Sequence, residues 1–173
     1  MKSRSLLSIV FASLLSAALM VSCGYRLGGL KPKCMEGKET AFVEVFGNHT
    51  TQPGLAVQFT TAMADSLQRD GTYTLASPST ADVFIRGEVT DIKRSSLRTN
   101  PYDSYLSSEV GLTVTVEYQV VDRKTGAVLK SGRVKGEGSN LNTSGNVQGA
   151  VDNALASAAR QAAEQLVTNL TMP

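Results

Sequence analysis

Apolar and polar residues alternate almost without a break from Val110 to Val121. Val110, Leu112, Val114, Val116, Tyr118 and Val120 fall on one face, with Thr113, Thr115, Glu117 and Gln119 on the other. That period of two is what a strand with one buried face requires. Asp82 to Arg94 alternates in the same way, setting Val83, Ile85, Gly87 and Val89 against Phe84, Arg86, Glu88 and Thr90. From Leu55 the period changes to that of a helix: Leu55, Phe59, Ala62, Met63, Ser66 and Leu67 recur at three- and four-residue steps until Asp70-Gly71 ends the stripe. A longer helical stripe closes the chain, through Val147, Ala150, Val151, Ala154, Leu155, Ala158, Ala162, Leu166 and Leu170. Its alanines let the helix lie close to a sheet.

Shorter signals fill the gaps. Ala41 to Phe46 reads as a strand, and Gly47 to Gly54 as a turn whose Pro53 suits the first turn of the following helix. Tyr73 to Ala76 reads as a short edge strand. Asp122 to Gly126 is a tight reversal from which Ala127 to Glu137 pairs back, with a bulge where Val128 and Leu129 are both apolar. Gly138 to Gly145 reads as a polar linker, and Ser95 to Ser108 as a polar stretch that is long for a hairpin loop, with extension of the flanking strands into it as the alternative. The order β-α-β-β-β-α predicts an α+β domain over residues 41–173. Its expected form is a two-layer sandwich: a mostly antiparallel or mixed four-stranded sheet, two helices on one face, and the other face left for solvent or a partner.

The head of the chain adds a destination. Lys2 and Arg4 precede an apolar run from Leu6 to Val21, which is too short and too rich in serine for a membrane span. It predicts a signal peptide over residues 1–22. Met20-Val21-Ser22-Cys23 resembles the lipobox of bacterial lipoproteins, which implies acylation at Cys23 and an N-terminal tether over residues 23–40. Gly24 is not the aspartate that retains many enteric lipoproteins in the inner membrane, so the resemblance implies an outer-membrane anchor with the domain facing the periplasm.

Of 17 basic and 15 acidic residues, Lys2 and Arg4 belong to the leader, so the remaining chain is balanced and nucleic acid is a poor partner for it. With Cys23 acylated, Cys34 has no partner for an intrachain disulfide. It is a small buried hydrophobe, a surface thiol or a link to another chain. His49 is the only histidine, and no nucleophile–base pair, metal-ligand spacing or phosphate loop accompanies it, so no catalytic residue and no cofactor is expected. Binding chemistry is concentrated in Lys93, Arg94 and Arg98, interleaved with Tyr102 and Tyr105, where cations could meet phosphates or carboxylates. Lys124, Lys130, Arg133 and Lys135 form a second basic region, read as protection of an edge strand.

These pieces in this order resemble the LptE family of lipopolysaccharide-assembly lipoproteins. The resemblance rests on Cys23-Gly24-Tyr25-Arg26-Leu27, Asn48-His49-Thr50, Pro53-Gly54-Leu55, Ala81-Asp82-Val83, Gly87-Glu88-Val89, Glu109 to Val114 and Asp122 to Leu129. It implies a non-enzymatic plug and assembly partner of an LptD-type outer-membrane β-barrel, one that binds lipopolysaccharide during its delivery to the cell surface. The glycolipid contacts expected from local chemistry are Lys93, Arg94 and Arg98. A different envelope lipoprotein, one that activates a peptidoglycan synthase, is the competing reading. A small hydrolase is a third, and it would need the nucleophile–base pair that is missing.

Overall fold

The computed structural model describes residues 31–100, 103–141 and 146–172. Residues 1–22, expected as a signal peptide, Cys23 and Tyr102 lie outside them. The described residues form six strands and two α-helices: β1 (Thr40–Val43), β2 (Gly47–Asn48), α1 (Leu55–Asp70), β3 (Thr74–Leu75), β4 (Val83–Asn100), β5 (Asp103–Asp122), β6 (Val128–Leu141) and α2 (Val147–Thr171). All strands join one sheet of order β3-β1-β4-β5-β6, with β2 also pairing with β4. The expected α+β class holds, but the expected four strands become six. Residues 40–48 pair in parallel with β4 twice, first at Val83–Ile85 and then at Glu88–Val89, with a break between. That break turns Phe46 inward, where its N–H donates to Thr60 Oγ1 at 3.0 Å and its ring meets Phe59 edge-on at 4.8 Å. Gly87 leaves the room, since a Cβ there would stand 2.7 Å from the Phe46 ring.

The β4–β5 hairpin is far longer than its apolar alternation. Ser95 to Ser108, expected as a long polar loop or as extensions of the flanking strands, takes the second form, and the strands pair from Val83 with Asp122 out to Asn100 with Asp103. Val89 faces Val116 and Asp91 faces Thr115, so Thr90 is an extra residue in β4. This bulge inverts the alternation, and Ile92 opposite Val114 becomes the next core position. The register also shifts between Val120 and Val121, as the adjacent apolar residues Val128 and Leu129 suggested. β6 runs on to Leu141, into the segment expected as a linker.

Both helices pack on the same face of the sheet. α2 runs back along β6 with almost no side-chain layer between them. A Cβ on Gly136 would fall 2.0 Å from the Ala158 carbonyl oxygen, and one on Gly138 would fall 2.1 Å from that of Ala154. Glycine on the strand and alanine on the helix are therefore one packing device. The same helix shields the outer edge of β6: Gln165 Oε1 accepts from the Lys135 N–H at 3.3 Å, and Gln161 Oε1 accepts from the Glu137 N–H. Exposed edge amides invite pairing with another chain, so this cover complements the lysines. α2 begins at Asn146, whose side chain accepts from the Gly149 N–H at 3.0 Å. α1 begins after Gly54 in the left-handed region (φ 78°), and Pro53 lies outside it rather than in its first turn.

Residues 31–39, read from sequence as tether, lie against the domain. Met35 is fully buried and Pro32 is buried. Lys31 sits over the Tyr73 ring at 5.2 Å and donates to the Lys38 carbonyl at 2.7 Å. Lys38 forms an ion pair with Asp122. Asp82 accepts from the Glu39 and Thr40 amides, both at 3.1 Å, and from the Thr40 hydroxyl at 2.9 Å. These bonds hold both carboxyls below their ordinary range: Asp122 chiefly through Lys38, then the Thr125 amide, and Asp82 chiefly through the Glu39 amide, then the Thr40 hydroxyl. A carboxyl whose folded pKa lies below its unfolded value of ~3.9 stabilises the fold fully above that value. That contribution is lost as pH falls through the folded pKa. The melting temperature should therefore drop as pH is lowered from about 5 toward 2, and Asp82→Asn should flatten that dependence in thermal melts. An unchanged slope in the variant would remove Asp82 from the account.

Candidate functional site

The face of the sheet opposite the helices carries a graded pattern that follows from the alternation already read in β4 and β5. At the end where β4 begins and β5 ends, Phe42, Phe84, Val121 and Val128 stand in register across four strands. The Phe42 and Phe84 rings meet edge-on at 5.9 Å. The next row is polar, with Arg86 beside Gln119 and Gln119 beside Ser131. The third row is charged: Glu88 faces Glu117, and Glu117 faces Arg133.

Two carboxylates directly opposite each other on adjacent strands repel. Here each has a nitrogen partner on its outer side. His49 Nε2 lies 2.9 Å from Glu88 Oε2, and Arg133 Nε donates to Glu117 Oε1 at 3.0 Å. All four side chains are roughly half exposed or more, and exposed ion pairs contribute only ~0–1 kcal/mol. Stability alone therefore does not account for the row, in which two adjacent carboxylates are flanked by His49 and Arg133. Arg86 is exposed and has no hydrogen-bond or ion-pair partner among the described residues. Rows two and three, with Glu44 and the 73% exposed Val45 at the rim, line an open trough of about 810 Å³.

The expected binding cations lie elsewhere. Lys93 and Arg94 follow the Thr90 bulge on β4 and both are exposed. Lys93 stands opposite Thr113 and Arg94 opposite Leu112, so they occupy opposite faces of the hairpin rather than one patch. Arg98 is placed by its backbone alone, across from Glu109. Tyr105 belongs to β5, again by backbone alone. The second basic group disperses as well. Lys124 is in the reversal, Lys130 donates to the Asn169 carbonyl at 2.5 Å, Arg133 pairs with Glu117, and Lys135 lies on the shielded edge. Cys34 is an exposed free thiol, which corrects the buried alternative. The Tyr73 hydroxyl is pushed up to about 12, by burial first and then by the charges of Cys34 and Asp70.

Sequence reading missed Arg86, the His49–Glu88 pair and the Glu117–Arg133 pair as members of one surface. Their signal was present, because Arg86, Glu88, Glu117 and Gln119 are the polar alternates of the two clearest strands. Strand register was needed to bring them together. Among the described residues no group of three or more His, Cys, Asp or Glu side chains is placed to hold a metal ion. No helix among them is long and apolar enough to cross a membrane.

An open, charge-patterned sheet backed by two helices defines an α+β domain of two layers. The comparisons agree on the fold. Protein XCC0632 from Xanthomonas campestris superposes with a TM-score of 0.56 at 13% identity, covering 83% of this chain and 91% of that one. A point variant of PelC from Paraburkholderia phytofirmans, a dodecamer, gives 0.51 at 18% identity over 83% and 95%. Lipoprotein B from Nitrosomonas europaea gives 0.50 at 12% over 86% and 90%. No curated protein sequence matches the chain. The lipopolysaccharide-assembly family model, LptE, matches residues 39–170, and the chain belongs to that family.

Proposed function

We propose that this protein is an outer-membrane lipoprotein, acylated at Cys23, that serves as plug and assembly partner of an LptD-type β-barrel and contacts lipopolysaccharide as it is delivered to the outer leaflet. Its role is non-catalytic. Family membership over residues 39–170 carries the reading, and the open sheet face supports it. A barrel lumen is polar, and a face of Glu, Arg and Gln side chains suits a polar wall better than an apolar partner. The lipid anchor holds the domain in the same membrane as the barrel, raising its effective concentration there. The β4–β5 arm passes beyond the start of α2. It carries a cation on each face near its root, so glycolipid phosphates could be engaged from either side.

Depletion of the protein tests the role. Surface lipopolysaccharide should fall and the barrel should accumulate unassembled; normal surface lipopolysaccharide after depletion would end the proposal. The arm has its own test. Charge-assisted hydrogen bonds contribute about 1.5–3 kcal/mol each, so Lys93→Glu/Arg94→Glu should weaken lipopolysaccharide binding about tenfold or more. Both side chains are exposed, so the melting temperature should stay nearly unchanged. Unaltered affinity in a titration would move the glycolipid site off the arm.

A further inference from the structure

Two neighbouring rows of the open face leave charges of opposite sign unanswered. Arg86 and Glu88 are two residues apart on β4 and both line the trough, so their side chains rise from one floor roughly 6.6 Å apart along the strand. In the first row Arg86 has Gln119 beside it on β5, with Ser131 beyond on β6, three side chains that can all donate to an anion. Glu44, at the rim of the same trough, forms no ion pair with Arg86 among the described residues. In the next row Glu88 and Glu117 face each other. The contacts that steady them use one oxygen of each, Glu88 Oε2 with His49 and Glu117 Oε1 with Arg133. Glu88 Oε1 and Glu117 Oε2 have no partner among the described residues. Along β4 the trough therefore offers a place for an anion and then a place for a cation.

That order selects among occupants. A purely anionic group, such as a glycolipid phosphate, would answer Arg86 but meet two carboxylates, and like charges brought together cost free energy. A segment carrying both signs answers both rows. A strand of a β-barrel turns every second side chain into the lumen, and those side chains are polar. Consecutive lumen-facing residues are two apart, which is the spacing of Arg86 and Glu88. Resting on the plug reading above, we propose that the trough docks a strand of the partner barrel's lumen wall that carries an acid–base pair two residues apart. Its carboxylate lies over Arg86, Gln119 and Ser131, and its lysine or arginine lies over Glu88 and Glu117.

Affinity purification of the full-length lipidated protein from detergent-solubilised outer membranes tests this through the amount of barrel recovered. Arg86→Glu should recover about tenfold less barrel than the wild type, because a charge-assisted contact becomes a repulsion. Glu88→Gln/Glu117→Gln should lose about as much. The swap Arg86→Glu/Glu88→Arg keeps the net charge of the face and reverses its order, and it should lose at least as much as Arg86→Glu. Arg160→Glu, on the exposed surface of α2, should recover barrel like the wild type. All of these side chains are exposed, so melting temperatures should stay nearly unchanged. Wild-type recovery by Arg86→Glu or by the swap, or an equal loss in Arg160→Glu, overturns the docking surface while leaving the plug role intact. A wild-type protein that brings down no barrel overturns the plug role, and the docking surface with it.

Discussion

Gly136→Val should lower the melting temperature by about 10 °C, the largest loss expected from any single substitution in the sheet. Overpacking a core commonly costs about 1–3 kcal/mol, and more where nothing can yield. At Gly136 the obstacles are backbone atoms: a Cβ would stand 2.0 Å from the Ala158 oxygen and 2.4 Å from the Ala162 nitrogen. α2 would have to lift from β6, loosening Gln161 and Gln165 from the strand edge they cover. A loss of ~3 kcal/mol corresponds to roughly 10 °C for a domain of this size. Gly132→Ala is the matched control on the same strand. Its Cβ meets only the Tyr118 ring, at 3.0–3.1 Å, and a side chain can shift by that much. Circular-dichroism melts should separate the two variants clearly, and similar melting temperatures would mean that contact between helix and strand does not hold the domain together.

Cys23→Ala should move the protein from the membrane fraction to the soluble periplasm and abolish palmitate incorporation. Each buried methylene contributes ~0.8 kcal/mol, so one myristoyl-length chain binds only marginally and two hold stably. Three chains on one residue would make the attachment permanent on a cellular timescale. No helix among the described residues is long and apolar enough to cross the bilayer in their place. The fold should survive, because residue 23 lies outside the domain matched by the family and the Met35 contacts remain. Retention of the variant in washed membranes, or unchanged palmitate labelling, would refute acylation at this position.

The parts of this molecule that were legible in the sequence are those in which one face of an element meets one core. The Val110–Val120 alternation, the Leu55–Leu67 stripe and the long alanine stripe all appear as buried faces of β5, α1 and α2. The hairpin arm was not legible. From Ser95 to Ser108 the sequence is polar and carries no apolar alternation, although its backbone continues the ladder. β2 and β3 are two residues each and are held by pairing with neighbours far along the chain, which no local period reveals. The Thr90 bulge left a trace in the three-residue step from Val89 to Ile92. It was overlooked; the separation of Lys93 from Arg94 follows from ordinary strand alternation once the strand runs past Arg94. Packing of residues 31–39 was hidden for another reason: a single buried Met35 and two ion-paired or hydrogen-bonded aspartates do not make a periodic pattern. The charged row of the open face was written in the polar alternates, but only the register aligned Glu88, Glu117 and Arg133.

The open face is where a partner should be found, and a photo-crosslinking residue at Gln119, exposed between Arg86 and Ser131, probes it in living cells. A covalent adduct with a large outer-membrane β-barrel is the predicted outcome, and Ser131 should give the same product. An adduct with a penicillin-binding protein, or none at either position while the outer surface of α2 crosslinks instead, would contradict it.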